Sequence, residues 1–121
     1  STTLLGVMSQ RLVRLNCPHC IEEVQGDPEI KKILEIDESV VFYKGKGCAS
    51  CNFTGYHGRH AVSELLVITP EIRKLINNGD NAQIIRQAAI EQGMVPIVKN
   101  TLGLAREART SLDEVYSVWI D

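Results

Sequence analysis

The sequence predicts an α+β fold, mainly helical, in which a small tetracysteine subdomain is followed by a helical bundle-like C-terminal domain. Two Cys-x-x-Cys pairs in the first half of the chain predict the subdomain. Apolar residues at helical spacing, separated by capping residues and glycines, fill the last fifty positions and predict the helices. With 121 residues and 44% hydrophobic content, the chain can form one compact domain, or one domain and a small satellite.

The two cysteine pairs predict a metal site. Cys17 and Cys20 form the first pair, Cys48 and Cys51 form the second, and residues 21–47 separate them. Two such pairs can place four thiolates at the corners of one tetrahedron, which is the geometry of closed structural Zn²⁺ sites. We therefore predict a four-thiolate zinc site in which small and turn-forming neighbours let backbone N–H groups point at the sulfurs. Such a site is structural and does not indicate an enzyme, because it leaves no position for water.

Other uses of the cysteines are less consistent with the sequence. Two disulfides would also use four cysteines, but no signal peptide is visible and the chain has no further cysteines. A thioredoxin-like redox site needs one reactive pair, whereas two matching pairs occur here. His19, His57 and His60 are possible ligands, but with four thiolates available we expect them at the surface or around the site.

Charge and hydropathy exclude several classes. The net charge of −2 argues against a general nucleic-acid-binding protein, although a local basic patch remains open. No apolar run approaches the roughly 18 residues of a membrane span. We expect a reducing compartment, where thiols stay available for metal. The chain lacks an initiator methionine, and we expect a fragment of a longer protein. The candidate patch comprises Arg11, Arg14, Lys44, Lys46 and Arg59.

The segment before the first cysteine pair is ambiguous. Its apolar residues recur near helical spacing, yet residues 10–15 also alternate as in a strand. We predict a short helix that becomes extended near Gln10. Arg11 and Arg14 form either a solvated basic face or a contact with an anion or a neighbouring subunit. The apolar residues at helical spacing are Leu4, Leu5, Met8, Leu12 and Leu15.

Between the cysteine pairs we predict one short helix and one strand. Asp27 is the candidate N-cap and Pro28 lies in the first turn, with an apolar face to follow. The β-branched and aromatic residues of segment 39–43 predict the strand. So few elements bury little surface, and we expect the metal to decide whether this part folds. The apolar face of the helix comprises Ile30, Ile33 and Leu34.

After the second cysteine pair we predict a tight loop and a strand. Gly55 and Gly58 are suited to the positive φ angles of such a loop. Residues 61–68 are apolar except for Glu64 and Ser63, which predicts a strand or a buried segment. A buried Glu64 needs a cationic partner. We expect a structural ion pair there, not a catalytic base, and the candidate partners are Arg11, Arg14 and Arg59.

Four helices are predicted in the remainder of the chain. Thr69-Pro70 begins the first, which ends near Asn77 before Asn78-Gly79. Asn81 caps the second, Pro96 opens the third, and Ser111 to Glu114 form a capping box before the last. If Leu112 and Trp119 both remain exposed, they would indicate a docking face instead of core. The predicted core-facing residues are Ile72, Leu75, Ile76, Ile84, Ile85, Ala88, Ala89, Ile97, Val98, Leu102, Ala105, Val115, Val118 and Trp119.

Common catalytic motifs do not occur in the sequence. It contains no GxxxxGK[ST] phosphate loop, no HExxH and no GxSxG. We therefore assign no catalytic and no cofactor-binding residue to this chain, beyond the four cysteines as metal ligands.

Six segments, in this order, carry a resemblance to a known family: residues 6–14 (GVMSQRLVR), 17–20 (CPHC), 43–59 (YKGKGCASCNFTGYHGR), 64–66 (ELL), 93–94 (GM) and 110–115 (TSLDEV). Together they closely resemble the C-terminal end of the ATPases that drive type II secretion and type IV pilus assembly. The cysteines distinguish these from the retraction ATPases, which are similar elsewhere but lack them. After the second pair the family usually has Gly-Arg-x-Gly-Ile, whereas His60 and Ala61 follow Gly58-Arg59 here.

The resemblance implies a domain organisation and a function. Residues 1–15 would end a RecA-like motor domain, residues 16–58 would form the zinc subdomain, and residues 59–121 the C-terminal helical domain. Arg11 and Arg14 would lie near the motor core. The full-length parent would be an ATPase using ATP and Mg²⁺, a homohexameric ring at the cytoplasmic face of the bacterial inner membrane. It would contact a membrane platform protein and move pilin-like subunits, and this region would transmit force.

Two other functions remain open from the residues alone. A freestanding zinc-ribbon module that binds nucleic acid would need lysine and arginine clustered around the cysteines, and the net charge argues against it. A chaperone-type zinc module is suggested by Cys48-x-x-Cys51-x-x-x-Gly55, but that type carries four such repeats and only two occur here.

Overall fold

The computed structural model describes residues 5–121 and has the α+β class that the sequence predicts. No helix in this range is both long and apolar enough to cross a bilayer. A 3₁₀ turn covers Ala49–Cys51. The elements are β1 (Leu5–Asn16), β2 (Ile21–Val24), α1 (Pro28–Ile33), β3 (Phe42–Gly45), β4 (Tyr56–Ile68), α2 (Pro70–Asn77), α3 (Ala82–Glu91), α4 (Ile97–Arg106) and α5 (Leu112–Ile120).

The two longest strands, β1 and β4, pair antiparallel with each other. The register of this pair runs from Leu5 opposite Ile68 to Arg14 opposite Arg59, and it shifts between Arg14 and Asn16. The predicted N-terminal helix is therefore wrong within the described residues, although Leu4 lies outside them. The extended conformation predicted from Gln10 onward is confirmed, because β4 supplies a partner strand along the whole of β1.

A second two-stranded sheet lies between the cysteine pairs. β2 and β3 are antiparallel, with Ile21 opposite Gly45 and Val24 opposite Phe42. The predicted cap of α1 is confirmed, because Asp27 accepts a hydrogen bond of 2.8 Å from the backbone of Glu29.

The predicted strand 39–43 begins later, at Phe42. Residues 37–40 instead form a turn in which the Asp37 carboxylate accepts hydrogen bonds from Ser39. The buried Lys31 ammonium donates hydrogen bonds to the carbonyls of Glu38 and Val40, at 3.0 and 2.6 Å. These carbonyls are therefore bound to a side chain and not to a neighbouring strand.

The caps of the later helices are found where the sequence predicts them. The side chains of Thr69, Asn81 and Ser111 each accept a hydrogen bond from the backbone N–H three residues ahead. α4 begins directly after Pro96, as predicted. The capping box at Ser111 is only half formed, because the Glu114 carboxylate binds Arg14 on β1.

Two clusters of buried side chains form the core. The first joins Ile30 and Phe42 from between the cysteine pairs to Ala105 of α4 and to α5. The second joins Val13 and Val62 of the long strand pair to α5. The helices therefore pack on strands as well as on each other. The residues that α5 contributes are Leu112, Val115 and Val118.

The predicted apolar faces are only partly correct. Leu112 is 3% exposed and Ile72 is fully buried. Ile33, Ile76, Ile84 and Trp119 are each exposed by 42% to 48% and contribute less to the core than predicted. These residues lie at the margins of their helix faces, where spacing alone does not distinguish a half-covered position from a buried one.

Candidate metal centre

The four cysteine sulfurs lie together at the end of the long strand pair. All four Sγ atoms are within 4.8 Å of one another. The separations are 3.8 Å for Cys17–Cys48, 3.9 Å for Cys20–Cys51 and 3.8 Å for Cys48–Cys51. A tetrahedron with Zn–S bonds of about 2.3 Å has edges of about 3.8 Å. Three of the six sulfur–sulfur separations therefore match a tetrahedral thiolate site, the other three lie within 4.8 Å, and none of the four cysteines is in a disulfide.

The backbone around the cysteines fixes these positions. Cys17 directly follows β1, and its N–H donates to the Gly55 carbonyl at 2.9 Å. Lys46, next to β3, donates its N–H to the Cys20 carbonyl at 3.0 Å. At Gly45 a β-carbon would lie 2.0 Å from the Gly55 carbonyl oxygen. Only glycine allows these two chain segments to approach so closely, and that approach brings the two cysteine pairs together.

Backbone N–H groups point at two of the sulfurs, as predicted. Gly47 donates to Cys20 Sγ at 3.3 Å. Cys48 and Gly55 donate to Cys51 Sγ at 3.3 and 3.2 Å. These hydrogen bonds stabilise negative charge on sulfur, which is the protonation state that a metal ligand needs.

The pKa values of two thiols show why the cluster suits a cation. Burial acts to raise the pKa of Cys51, but hydrogen bonds from the N–H groups of Cys48 and Gly55 and from the thiols of Cys48 and Cys20 together lower that pKa to about 6. The Gly47 N–H acts to lower the pKa of Cys20, but burial and the three neighbouring thiols together raise it to about 11. Four thiolates so close together repel one another, and a divalent metal ion removes that repulsion.

The donor set consists of cysteines alone. Among residues 5–121 the cluster of potential ligands contains no histidine, and His19 and His57 are exposed. Thiolates are soft ligands, and four of them in a tetrahedral arrangement fit Zn²⁺. The four residues therefore fit Zn²⁺ in their number, their chemistry and their spacing.

Glu64 forms an ion pair, but with a partner that the sequence analysis missed. Its carboxylate accepts two hydrogen bonds from Arg86 of α3, at 3.0 and 3.3 Å. It also accepts the Ile97 N–H at 2.8 Å and so caps α4, where Pro96 has no side-chain acceptor. The hydrogen bond from Arg86, opposed by burial, lowers the pKa of Glu64. The predicted partners Arg11, Arg14 and Arg59 are wrong, because Glu64 pairs with Arg86. Spacing along the chain does not show that these two residues meet.

The two arginines of β1 contact α5 and the residue that follows it. Arg11 lies 3.6 Å from the Asp121 carboxylate. Arg14 pairs with the nearly buried Glu114 and stacks on the Tyr56 ring, with 4.1 Å from its guanidinium carbon to the ring centroid. These contacts attach the long strand pair to the last helix. Sequence reasoning could have found the pairing of Arg14 only by placing α5 against β1.

Comparison with known proteins gives a family. A family model described as "Type II/IV secretion system protein" matches residues 1–117. The chain is 42% identical, over its whole length, to the type IV pilus assembly ATPase PilB of Thermus thermophilus. It is 35% identical over 98% of its length to the type II secretion system ATPase E of Vibrio cholerae.

The match covers only part of these relatives. The chain spans 14% of the Thermus protein and 24% of the Vibrio protein. The family predicted from the six sequence segments is confirmed, because the match is continuous over almost the whole chain. This chain belongs to the type II/IV secretion system protein family.

Proposed function

We propose that Cys17, Cys20, Cys48 and Cys51 hold one structural Zn²⁺ ion. The support is that three of the six sulfur–sulfur separations, at 3.8 to 3.9 Å, equal the edges of a zinc–thiolate tetrahedron, and that all four sulfurs lie within 4.8 Å of one another. The ion would join the loop after β1 to the loop after β3. It would supply folding free energy and no chemistry, because four thiolates leave no open position for a substrate.

We further propose that the chain is the C-terminal, force-transmitting region of a hexameric ATPase for secretion or pilus assembly. The observation that carries this is the family match over residues 1–117, with relatives named as ATPases of these systems. ATP and Mg²⁺ would be bound by a part of the parent outside this chain. In this scheme residues 1–15 end the motor domain, 16–58 form the zinc subdomain and 59–121 the helical domain.

The contacts within the chain suit force transmission. β1 and β4 form a continuous antiparallel pair over ten residues, and ion pairs attach β1 to Glu114 of α5 and to Asp121 directly after it. The core cluster of Ile30 and Phe42 with α5 ties the segment between the cysteines to the helices. A displacement applied to the strand pair would therefore move the metal site and the helices with it. We propose that the receiving partners are neighbouring subunits and an inner-membrane platform protein, at the cytoplasmic face of that membrane.

The zinc proposal is tested on the isolated chain. Plasma mass spectrometry of protein purified without added metal should find one zinc per chain. Thiol titration should find four reactive thiols only after chelation. A metal-free chain with fewer than four thiols would indicate disulfides and overturn the proposal.

The force-transmission proposal is tested in the full-length parent. Replacing Cys51 by serine should leave ATP hydrolysis within about threefold of the wild type and abolish secretion or pilus assembly. His19→Ala is the matched control, because this exposed residue lies between Cys17 and Cys20 and is not a proposed ligand. Unchanged assembly in the Cys51 variant would refute force transmission, and equal loss of hydrolysis and assembly would refute the separation of the two roles.

A further inference from the structure

The residue before the first cysteine joins three parts of the chain. Asn16 is the last residue of β1 and is 7% exposed. The register shift between Arg14 and Asn16 places Asn16 opposite Tyr56 of β4, and the Asn16 N–H donates to the Arg109 carbonyl at 2.8 Å. Its side-chain amide donates to the carbonyls of Tyr43 on β3 and Ala108, both at 3.1 Å. One side chain thus connects the cysteine subdomain to residues 107–111, the corner between α4 and α5.

The corner that Asn16 holds needs external support. Ala108 has a φ of 68°, in the left-handed region that disfavours residues with a β-carbon. The next residue but one, Thr110, is fully buried and donates to the Arg14 carbonyl at 2.6 Å. The corner is therefore fixed to the end of β1 by hydrogen bonds to Arg14 and Asn16, and only Asn16 also reaches β3.

Asn16 is also one peptide bond away from the metal centre. Asn16 and Cys17 share a peptide group, and its N–H donates to the Gly55 carbonyl. The position of the first ligand and the position of Asn16 therefore depend on each other. Relaxation of the loop at Cys17 on loss of a metal would therefore displace Asn16 and weaken the two hydrogen bonds that its amide donates.

We propose that Asn16 couples occupancy of the metal centre to the stability of the α4–α5 corner. This inference rests on the zinc site proposed above. In the metal-loaded chain Asn16 holds β3 and the corner together, and loss of the metal loosens the corner and the start of α5. Coupling of this kind is reciprocal: the factor by which bound metal stabilises the corner equals the factor by which the formed corner strengthens metal binding. Removing the Asn16 contact should therefore weaken metal binding.

Zinc affinity, measured by competition with a chelator, tests this reciprocity in three proteins. Asn16→Ala removes both amide bonds and should lower the affinity roughly tenfold, the factor that corresponds to about 1.4 kcal/mol. Thr110→Val is the matched control, since it removes a buried hydrogen bond of the same corner but makes no contact with β3. Its affinity should stay within about threefold of the wild type.

Hydrogen exchange of the peptide spanning residues 107–112 gives the second readout. Chelation should raise exchange there roughly tenfold in the wild type and in Thr110→Val, and by less than about threefold in Asn16→Ala. A wild-type corner that does not respond to chelation overturns the inference, even if the Asn16 variant fails to fold. Wild-type zinc affinity in Asn16→Ala also overturns it, while leaving the zinc site intact. A wild type that binds no metal at all refutes the zinc site itself.

Discussion

Replacing Phe42 by alanine tests whether the chain folds as one unit. Phe42 is fully buried and packs in the cluster shared by α1, α4 and α5. A buried aromatic side chain removes about 150 to 250 Å² from water. At about 25 cal/mol per Å² this gives about 4 to 6 kcal/mol. Alanine retains part of that surface, and we expect a loss of about 3 to 5 kcal/mol in the free energy of unfolding.

The chain supplies its own control for this substitution. Phe53 is the second of two phenylalanines and is 75% exposed, so Phe53→Ala should change stability by less than about 0.5 kcal/mol. Urea denaturation of the metal-loaded chain would be followed with two probes. Fluorescence of the single tryptophan, Trp119, reports on α5, and thiol reactivity reports on the cysteines.

Both probes should shift together in Phe42→Ala, because the core cluster joins the segment between the cysteines to the last helix. Coincident transitions are the mark of one cooperative unit. A shift in thiol reactivity with an unchanged tryptophan transition would refute the reasoning. It would show that the segment between the cysteines unfolds independently of the helices.

Three further perturbations follow from individual contacts. The pKa of Glu64 is lowered in the folded chain, so the pair with Arg86 should stabilise the protein above the ordinary glutamate pKa of about 4.5 and lose its effect as pH falls through the lower folded value. Urea denaturation from pH 6 to 3 should therefore show a flatter stability profile for Glu64→Gln, and an unchanged profile would contradict this. Arg14→Ala leaves Glu114 nearly buried without its partner and should cost about 2 to 3 kcal/mol, and adding Glu114→Gln should recover part of that loss in the same assay. Ala108→Gly relieves a left-handed residue and should raise the melting temperature by a few degrees, corresponding to about 1 kcal/mol, whereas a decrease would show that the corner is not strained.

Local signals in the sequence predicted local structure well. Four of the helix caps depend on a side chain and a backbone N–H only two or three residues apart, so Asp27, Thr69, Asn81 and Ser111 could be assigned without knowing the fold. The proximity of the four cysteines was likewise predictable, because two matched Cys-x-x-Cys pairs are typical of one shared metal site.

Contacts between distant segments were not predictable in the same way. The helical spacing in residues 5–15 was overridden by pairing with β4, which lies some fifty residues further along the chain. The partner of Glu64 depended on where the fold places Arg86, and several arginines satisfied the charge requirement equally well. Nothing in the sequence pointed to Asn16, because its contacts are with the carbonyls of Tyr43, Ala108 and Arg109, which only the folded chain brings to it.

The separation of β1 from β4 along the chain has a consequence for the order of folding. The strands meet at Asn16 and Tyr56, so pairing them first would close a loop of about 39 residues. By polymer theory that closure costs about 3 kcal/mol, whereas with Cys17 and Cys51 already on one metal ion only about four residues remain to be closed, at about 1 kcal/mol. The difference of about 2 kcal/mol amounts to roughly thirtyfold in the rate of strand pairing. A chain that captures its metal early would thus bring its two long strands together before they can pair with those of another molecule, which is a safeguard against aggregation during synthesis.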